Sequence, residues 1–397
     1  MKKIMMLGGN AFQLSATKRA KELGYYVISV DYLPDNPAHK FADEYHNVST
    51  TDKEAVLALA KELKIDGILS FASDVSAPTA AYVAEALGLP TNPYEAVMIL
   101  THKDAFRDFM TKNNLQSAHA KAFKSLDDGR DFFNSLDLPL IIKPVDSSGS
   151  KGVVKVTERS QYEAAYKEAE CYSLSKHVII EDYIQKYGYE IDGDGFVKDG
   201  KIIFFGVMDQ HNDLDMAPYV PIGLSRPSIQ DPNVQKKAQD LIQKIYDLLG
   251  VKFGAFNFEY ITDKNGEVYL LEIGPRNGGN FIPDTIKYST GIDMITASIK
   301  ACVGDNYDDC FVQTSNKIAT SFVVHSLEDG RYKGLDISDE VKDFIVENRM
   351  FVEPGDKVKK FHNGGDTIGI MCLEFDTVEH MNHCMDNMND YIKVLVE

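Results

Sequence analysis

Two glutamates stand in strand-like stretches that are otherwise apolar or aromatic. Glu259 lies in Phe256-Asn-Phe-Glu-Tyr260, and Glu272 lies in Val268-Tyr-Leu-Leu-Glu-Ile273. A turn at Asp263-Lys-Asn-Gly266 brings both carboxylates to neighbouring positions of one hairpin. A carboxylate in such a strand needs a cation or strong donors. Two hard oxygen ligands side by side suit Mg²⁺, which takes one or two protein carboxylates and completes its shell with phosphate oxygens and water. The competing reading is a salt bridge from Glu272 to Arg276. The loop Gly274-Pro-Arg-Asn-Gly-Gly-Asn280 shapes the backbone around Arg276. The arginine fork matches phosphate or carboxylate oxygens. A purely structural loop is the alternative.

Three further stretches could meet an anion. Lys143 closes the apolar strand 138–143 just before Pro144. A lysine there can reach a phosphate as a point charge, or can snorkel at a sheet edge. Asp146-Ser-Ser-Gly-Ser-Lys-Gly152 can close over phosphates through backbone N–H groups and hydroxyls. It lacks the G-x-x-x-x-G-K-[ST] spacing, and a mobile surface hairpin is the plain alternative. Gly8-Gly9-Asn10 ends the first strand. It reads as a tight strand–helix turn, as an acceptor-substrate site, or, least well, as a nicotinamide-dinucleotide turn, because G-x-G-x-x-G is not met. His380, His383 and Cys384 have metal-ligand spacing but fall on a helix expected at the surface.

The elements that must position these groups follow from periodicity. Strands at 3–7, 26–30 and 67–71 alternate with helices at 14–23, 53–63 and 77–87, which predicts a parallel sheet with βαβ crossovers. Helices follow over 94–113. From residue 118 the pattern becomes strand-rich, with strands at 138–143, 153–157 and 178–181 and a helix at 161–168. Hairpins are predicted over 189–208 and 255–273, flanking an amphipathic helix at 233–249 that Gly250 stops. The expected organisation is a Rossmann-like domain at 1–92, a helical linker at 93–117, α+β units at 118–184 and 185–310, and a small mixed cap at 311–397 with a helix near 377–391. The fold class is α/β and α+β.

Composition narrows the function. With 42 Lys plus Arg against 60 Asp plus Glu, the formal net charge of −18 opposes a phosphate backbone and argues against nucleic-acid binding. No apolar run is long enough to span a membrane. Met1-Lys-Lys-Ile-Met-Met-Leu7 lacks a secretory h-region and cleavage site. Five scattered cysteines fit reduced thiols in a cytoplasm. No Ser-His-Asp or Cys-His arrangement is supported.

In order along the chain, these residues resemble the ATP-grasp superfamily over about residues 1–310, and the tail resembles that family's C-terminal cap. The similarity is greatest to the carboxylate–amine ligase branch, which includes the carbamoyl phosphate synthetase large subunit, biotin carboxylase and the purine-pathway synthetases. The resemblance implies ATP and Mg²⁺ as cofactors, with Mn²⁺ an alternative. It implies that Lys103, in Thr101-His-Lys-Asp-Ala-Phe-Arg107, touches the phosphates, and that Lys143 contacts the α-phosphate and adenine edge. Ser147, Ser148, Gly149, Ser150 and Gly152 match the lid over the β- and γ-phosphates. Glu181 matches the acceptor for the adenine amino group, with Tyr183 and Ile184 lending backbone groups, and Glu190 the acid on the ribose hydroxyls. Glu259 and Glu272 match the metal carboxylates, and Arg276 the arginine near the transferred phosphate. One departure is Gly274, where the family commonly has Asn. Asn277 and Asn280 are candidates to compensate. Acceptor contacts are expected from Gly8, Gly9, Asn10, His211, Asn277 and Gly278.

The implied activity is a ligase that activates a small-molecule carboxylate as an acyl phosphate, releasing ADP, for attack by an amine. Alternatives are carboxylation through carboxyphosphate, a nucleotide-binding module without turnover, and a nicotinamide-dependent oxidoreductase. A homodimer is expected by the same resemblance.

Overall fold

The computed structural model describes residues 1–397 apart from Asp215. Four short strands open the chain: β1 (Lys3–Leu7), β2 (Tyr26–Val30), β3 (Glu44–His46) and β4 (Gly67–Ser70). They form a parallel sheet in the order β3-β2-β1-β4. Helices α1 (Leu14–Glu22) and α2 (Lys53–Leu63) make crossovers between strands, and α3 (Ala77–Leu87) follows β4. One face of the sheet packs Met5, Leu7, Ile28 and Val30 against Val56 and Val83. The other packs Ile4, Met6 and Val27 against Ile295 and Ile299, residues that come from far down the chain. Burial on both faces is why these strands read as nearly unbroken apolar runs.

Two helices follow, α4 (Tyr94–Thr101) and α5 (Lys103–Lys112), separated at His102, whose backbone is extended. The next unit is a four-stranded antiparallel sheet of order β5-β8-β6-β7. Its strands are β5 (Ala120–Phe123), β6 (Leu140–Pro144), β7 (Val154–Val156) and β8 (Val178–Asp182), backed by α6 (Leu126–Ser135) and α7 (Tyr162–Tyr172). Phe133, Leu140, Ile142, Tyr166 and Ile180 fill the space between. The serine/glycine stretch is the β6–β7 connection.

The largest element is an eight-stranded sheet of order β13-β12-β9-β10-β11-β14-β18-β16. It comprises β9 (Glu190–Lys198), β10 (Lys201–Asn212), β11 (Pro221–Arg226), β12 (Phe253–Thr262), β13 (Val268–Gly274) and β14 (Ile318–Val324), then, beyond β15 (Gly330–Ile337), β16 (Ile345–Met350) and, beyond β17 (Lys357–Val358), β18 (Gly369–Phe375). Helix α8 (Pro232–Leu249) lays Ile242, Ile245 and Tyr246 on Phe256, Phe258 and Tyr260. Helices α9 (Ile282–Thr290) and α10 (Met294–Cys302) cover the other side.

The tail is more integrated than a separate cap. β14 pairs with β11 from Gly223↔Phe322 to Arg226↔Ala319, so the sheet runs on through β14, β18 and β16. Only β15, β17 and β19 (Ile392–Val396) form a sheet of their own. After the short α11 (Asp339–Lys342), the helix expected near 377–391 divides at Asn387 into α12 (Val378–Asp386) and α13 (Met388–Tyr391). Cys384 is buried, whereas His380 and His383 are exposed as expected, His380 lying edge-on against Phe344 and Phe375. Among the described residues, no helix is long and apolar enough to cross a membrane.

Candidate active site

A cleft of about 480 Å³ opens between the β5–β8 sheet, the β13-β12-β9-β10 end of the large sheet, and the first domain. Lys103, Lys143, Glu181, Glu190, Glu259, Glu272 and Arg276 line it. So do Ser147, Ser148, Gly149, Ser150, Tyr183, Ile184 and Asn10. The fold thus brings together groups spread over some 270 positions of sequence.

Strand register creates the acidic centre. Glu272 sits directly opposite Glu259 across β12–β13, and Glu259 sits opposite Asp192 across β12–β9. Directly opposed residues share a face of the sheet, so three carboxylates form one row. Burial pushes the Glu259 carboxyl well above its usual range, and the charges of Glu272, Asp192 and Glu190 push it further. Among the described residues, Glu259 meets no donor or cation within hydrogen-bonding or ion-pair distance. Burial also acts against ionised Glu272, but Lys103 outweighs it and holds that carboxyl below its usual value. Lys103 Nζ lies 2.9 Å from Glu272 Oε2 and donates to the Ser147 carbonyl at 2.9 Å. Arg276 does not pair with Glu272. Its guanidinium is held by Asp74, with Nε donating to Oδ1 at 2.8 Å.

An orphaned, partly buried carboxylate beside a second carboxylate is the donor set that a hard cation takes. Glu259 and Glu272 therefore fit Mg²⁺. Among the described residues, no group of three or more His, Cys, Asp or Glu is arranged to hold a metal ion. A cation here would draw its remaining oxygens from a bound phosphate and water.

The opposite wall is cationic at its base. Lys143 and Arg107 both pair with the Glu181 carboxylate, Arg107 Nε at 3.2 Å. Arg107 also donates to the carbonyls of Leu270 and Leu271 at 3.1 and 3.2 Å. Burial works against ionised Glu181, yet its two cations hold it down to about 2. Burial lowers the Lys143 ammonium. Each oxygen of the Glu181 carboxylate is thus engaged by one protein cation. Glu190 is pushed up by burial and lies 4.0 Å from Lys186. Tyr183 carries Lys155 over its ring at 3.7 Å.

The serine/glycine loop is folded over the cleft. Ser150 Oγ donates to the Tyr219 carbonyl at 2.6 Å, and Gly364 N–H donates to the Gly149 carbonyl at 3.2 Å. Gly152 does not reach the cleft but packs against α7, where a Cβ would meet Ala169 Cα at 3.2 Å.

Five of the six expected acceptor residues, all but Asn10, lie outside the cleft lining. Gly9 packs under His39, where a Cβ would fall 2.2 Å from the imidazole Cε1, and Gly8 packs against Gln13. The Asn10 N–H donates to Gln13 Oε1 at 3.0 Å and Asn10 Oδ1 accepts from Phe12 N–H at 3.0 Å, so this turn is closed rather than open to a dinucleotide. His211 faces away from the cleft, its Nδ1–H donating to Asp386 Oδ1 at 2.7 Å with Ser225 Oγ 2.9 Å from Nε2. Gln210, one residue earlier, lines the cleft instead, because successive strand side chains point to opposite faces. Asn277 and Gly278 sit behind the wall. The Asn277 amide and the Gly278 N–H donate to Asp194 at 3.2 and 2.8 Å.

Sequence reasoning passed over Arg107, Asp74, Asp192, Asp194 and Asn257. For Asp192 and Asp194 a signal existed. Glu190-Ile-Asp-Gly-Asp194 places acids at every second residue, the spacing of one strand face. Burial lifts Asp192 to about 8 and Asp194 to about 7. Asn257 Nδ2 bridges them, donating at 2.7 Å to Asp192 Oδ1 and at 3.3 Å to Asp194 Oδ1.

Comparison with known proteins agrees with this geometry. Residues 136–284 match the sequence family described as the ATP-grasp domain. The chain is 30% identical over 280 residues to the formate-dependent phosphoribosylglycinamide formyltransferase of Wolinella succinogenes, covering 69% of this chain and 70% of that protein. It is 26% identical over 311 residues to the alanine–anticapsin ligase of Bacillus subtilis, covering 72% and 65%. The L-amino acid ligase structure from Bacillus licheniformis superposes with a TM-score of 0.83 at 20% identity, covering 100% and 99%. Phosphoribosylglycinamide synthetase from Anaerococcus prevotii gives 0.77 at 23% identity, covering both chains fully. The chain belongs to the ATP-grasp family, in its branch of ATP-dependent carboxylate–amine ligases.

Proposed function

We propose that the cleft binds ATP and that the chain activates a small-molecule carboxylate as an acyl phosphate, which an amine then converts to an amide-type product. The observation that carries this reading is the register pair Glu259–Glu272, beside Lys103 and Arg276 and beneath the serine/glycine loop.

Glu259 and Glu272 are the residues to hold Mg²⁺, which when bound neutralises phosphate oxygens and orients the triphosphate. Lys103 and Lys143 supply positive charge along the phosphates, and Arg276 supplies it where charge develops during transfer. A carboxylate oxygen of the acid substrate takes the γ-phosphoryl group, the β–γ bond breaks and ADP leaves. The amine nitrogen then attacks the acyl carbon, the C–O bond to phosphate breaks, and a proton leaves the nitrogen. Glu190, which lines the cleft, is the residue to take the ribose hydroxyls. The hinge 181–184 offers backbone groups to the base. The loop 147–152 excludes water, which an acyl phosphate requires. No side chain becomes a covalent nucleophile.

A screen of ADP release across carboxylic acids and amino acids, each with and without amine partners, tests the reading. Release that depends on an acid, with product only when an amine is present, is the expected result. ADP release indifferent to every acid contradicts it. Dependence on bicarbonate alone points to carboxyphosphate.

A further inference from the structure

Asp74 lies in the β4–α3 connection of the first domain, 202 positions before Arg276, yet grips its guanidinium side-on. Nε donates to Oδ1 at 2.8 Å and Nη2 to Oδ2 at 2.5 Å, while Nη1 donates to the Asn277 carbonyl at 3.1 Å. The Arg276 side chain is 7% exposed and Asp74 20%. An arginine carries one N–H on Nε and two on each terminal nitrogen. Among the described residues, these three bonds leave one N–H on Nη1 and one on Nη2, the number that an end-on pair of bonds to two phosphate oxygens needs.

The ion pair also accounts for Gly274. A Cβ at that position would lie 2.8 Å from Asp74 Oδ1 and 2.9 Å from Arg276 Cζ, closer than side-chain carbons pack. Any side chain at 274 competes with the pair for the same space. The carboxamide on this part of the sheet stands directly across the ladder instead, at Asn257.

We propose that Asp74 is a positioning residue: it fixes Arg276 so that its free fork faces the terminal phosphate of the bound nucleotide, and Gly274 is glycine to leave room for that arrangement. The first domain thereby contributes to phosphate recognition through one ion pair. This rests on the role proposed above for Arg276.

The test compares calorimetric affinities for MgADP and for Mg²⁺ with the non-hydrolysable ATP analogue AMP-PNP. Asp74→Asn is expected to weaken AMP-PNP binding about 10-fold, the size of one charge-assisted hydrogen bond, and to leave MgADP binding unchanged. Gly274→Ala is expected to do the same. Asp74→Glu recovers part of the loss. In an Asp74→Ala background, adding Gly274→Ala changes AMP-PNP affinity by less than about twofold, because the collision is gone. Unchanged AMP-PNP affinity in Asp74→Asn overturns the inference. So does equal loss of both nucleotides, which would make Asp74 a support of the fold, and so does full multiplicativity of the 74 and 274 effects. Wild-type protein that binds neither nucleotide overturns the proposed function and this inference with it.

Discussion

Replacing Glu181 by Gln keeps the side-chain shape and removes the single anion between two buried cations. Glu181, Lys143 and Arg107 are 4%, 6% and 3% exposed. The carboxyl sits at about 2 against an ordinary 4.5, a depression that corresponds to about 3 kcal/mol of stabilisation at neutral pH. Breaking a buried pair by removing one partner costs ~3–5 kcal/mol, which agrees. Urea denaturation at pH 7 should therefore show Glu181→Gln less stable than wild type by about 3 kcal/mol. The sign with pH follows from the depressed value. The contribution is complete above the unfolded-state value near 4.5 and is lost as pH falls toward 2. The gap between wild type and variant should close over that window. A difference below ~0.5 kcal/mol at pH 7, or one that does not change between pH 5 and 3, would refute the reasoning.

Other outcomes follow from the same geometry. Glu272→Gln should lower acid-dependent ADP release by about 10²-fold with the thermal transition retained, measured by coupled assay and calorimetry. His211→Ala should cost ~1–3 kcal/mol in denaturant unfolding, because Asp386 and Ser225 lose a buried partner, and should leave turnover within about twofold. Gln210→Ala should instead raise the acid or amine KM with little change in stability. Gly364→Pro removes the N–H that holds the Gly149 carbonyl, so phosphate release should rise relative to amide product as water reaches the acyl phosphate.

What the chain declares locally and what only the fold assembles divide along physical lines. The hairpins over β9–β10 and β12–β13 were legible because alternation and a glycine turn act over a few residues, and that placed Glu259 opposite Glu272. The phase of β10 at its far end was not, and a choice between Gln210 and His211 turns on that phase. A one-residue difference decides which side chain meets the cleft. Pairing between β11 and β14 joins segments about a hundred positions apart, so the extension of the large sheet into the tail left no local trace. The same holds for Asp74 with Arg276 and Arg107 with Glu181, whose partners are chosen by packing. The resemblance named the role of Glu181 but not that Lys143 and Arg107 occupy its carboxylate. Gly274 reads as a lost ligand in the sequence and as a clearance for an ion pair in the structure.

The most direct measurement of the central claim is a crystal structure grown with AMP-PNP and Mn²⁺, read by anomalous scattering. The account predicts a metal peak within coordinating distance of Glu259 and Glu272 and of the terminal phosphates, with the base beside residues 181–184. A nucleotide bound with its metal away from both glutamates, or a metal held there without phosphate oxygens, would contradict it.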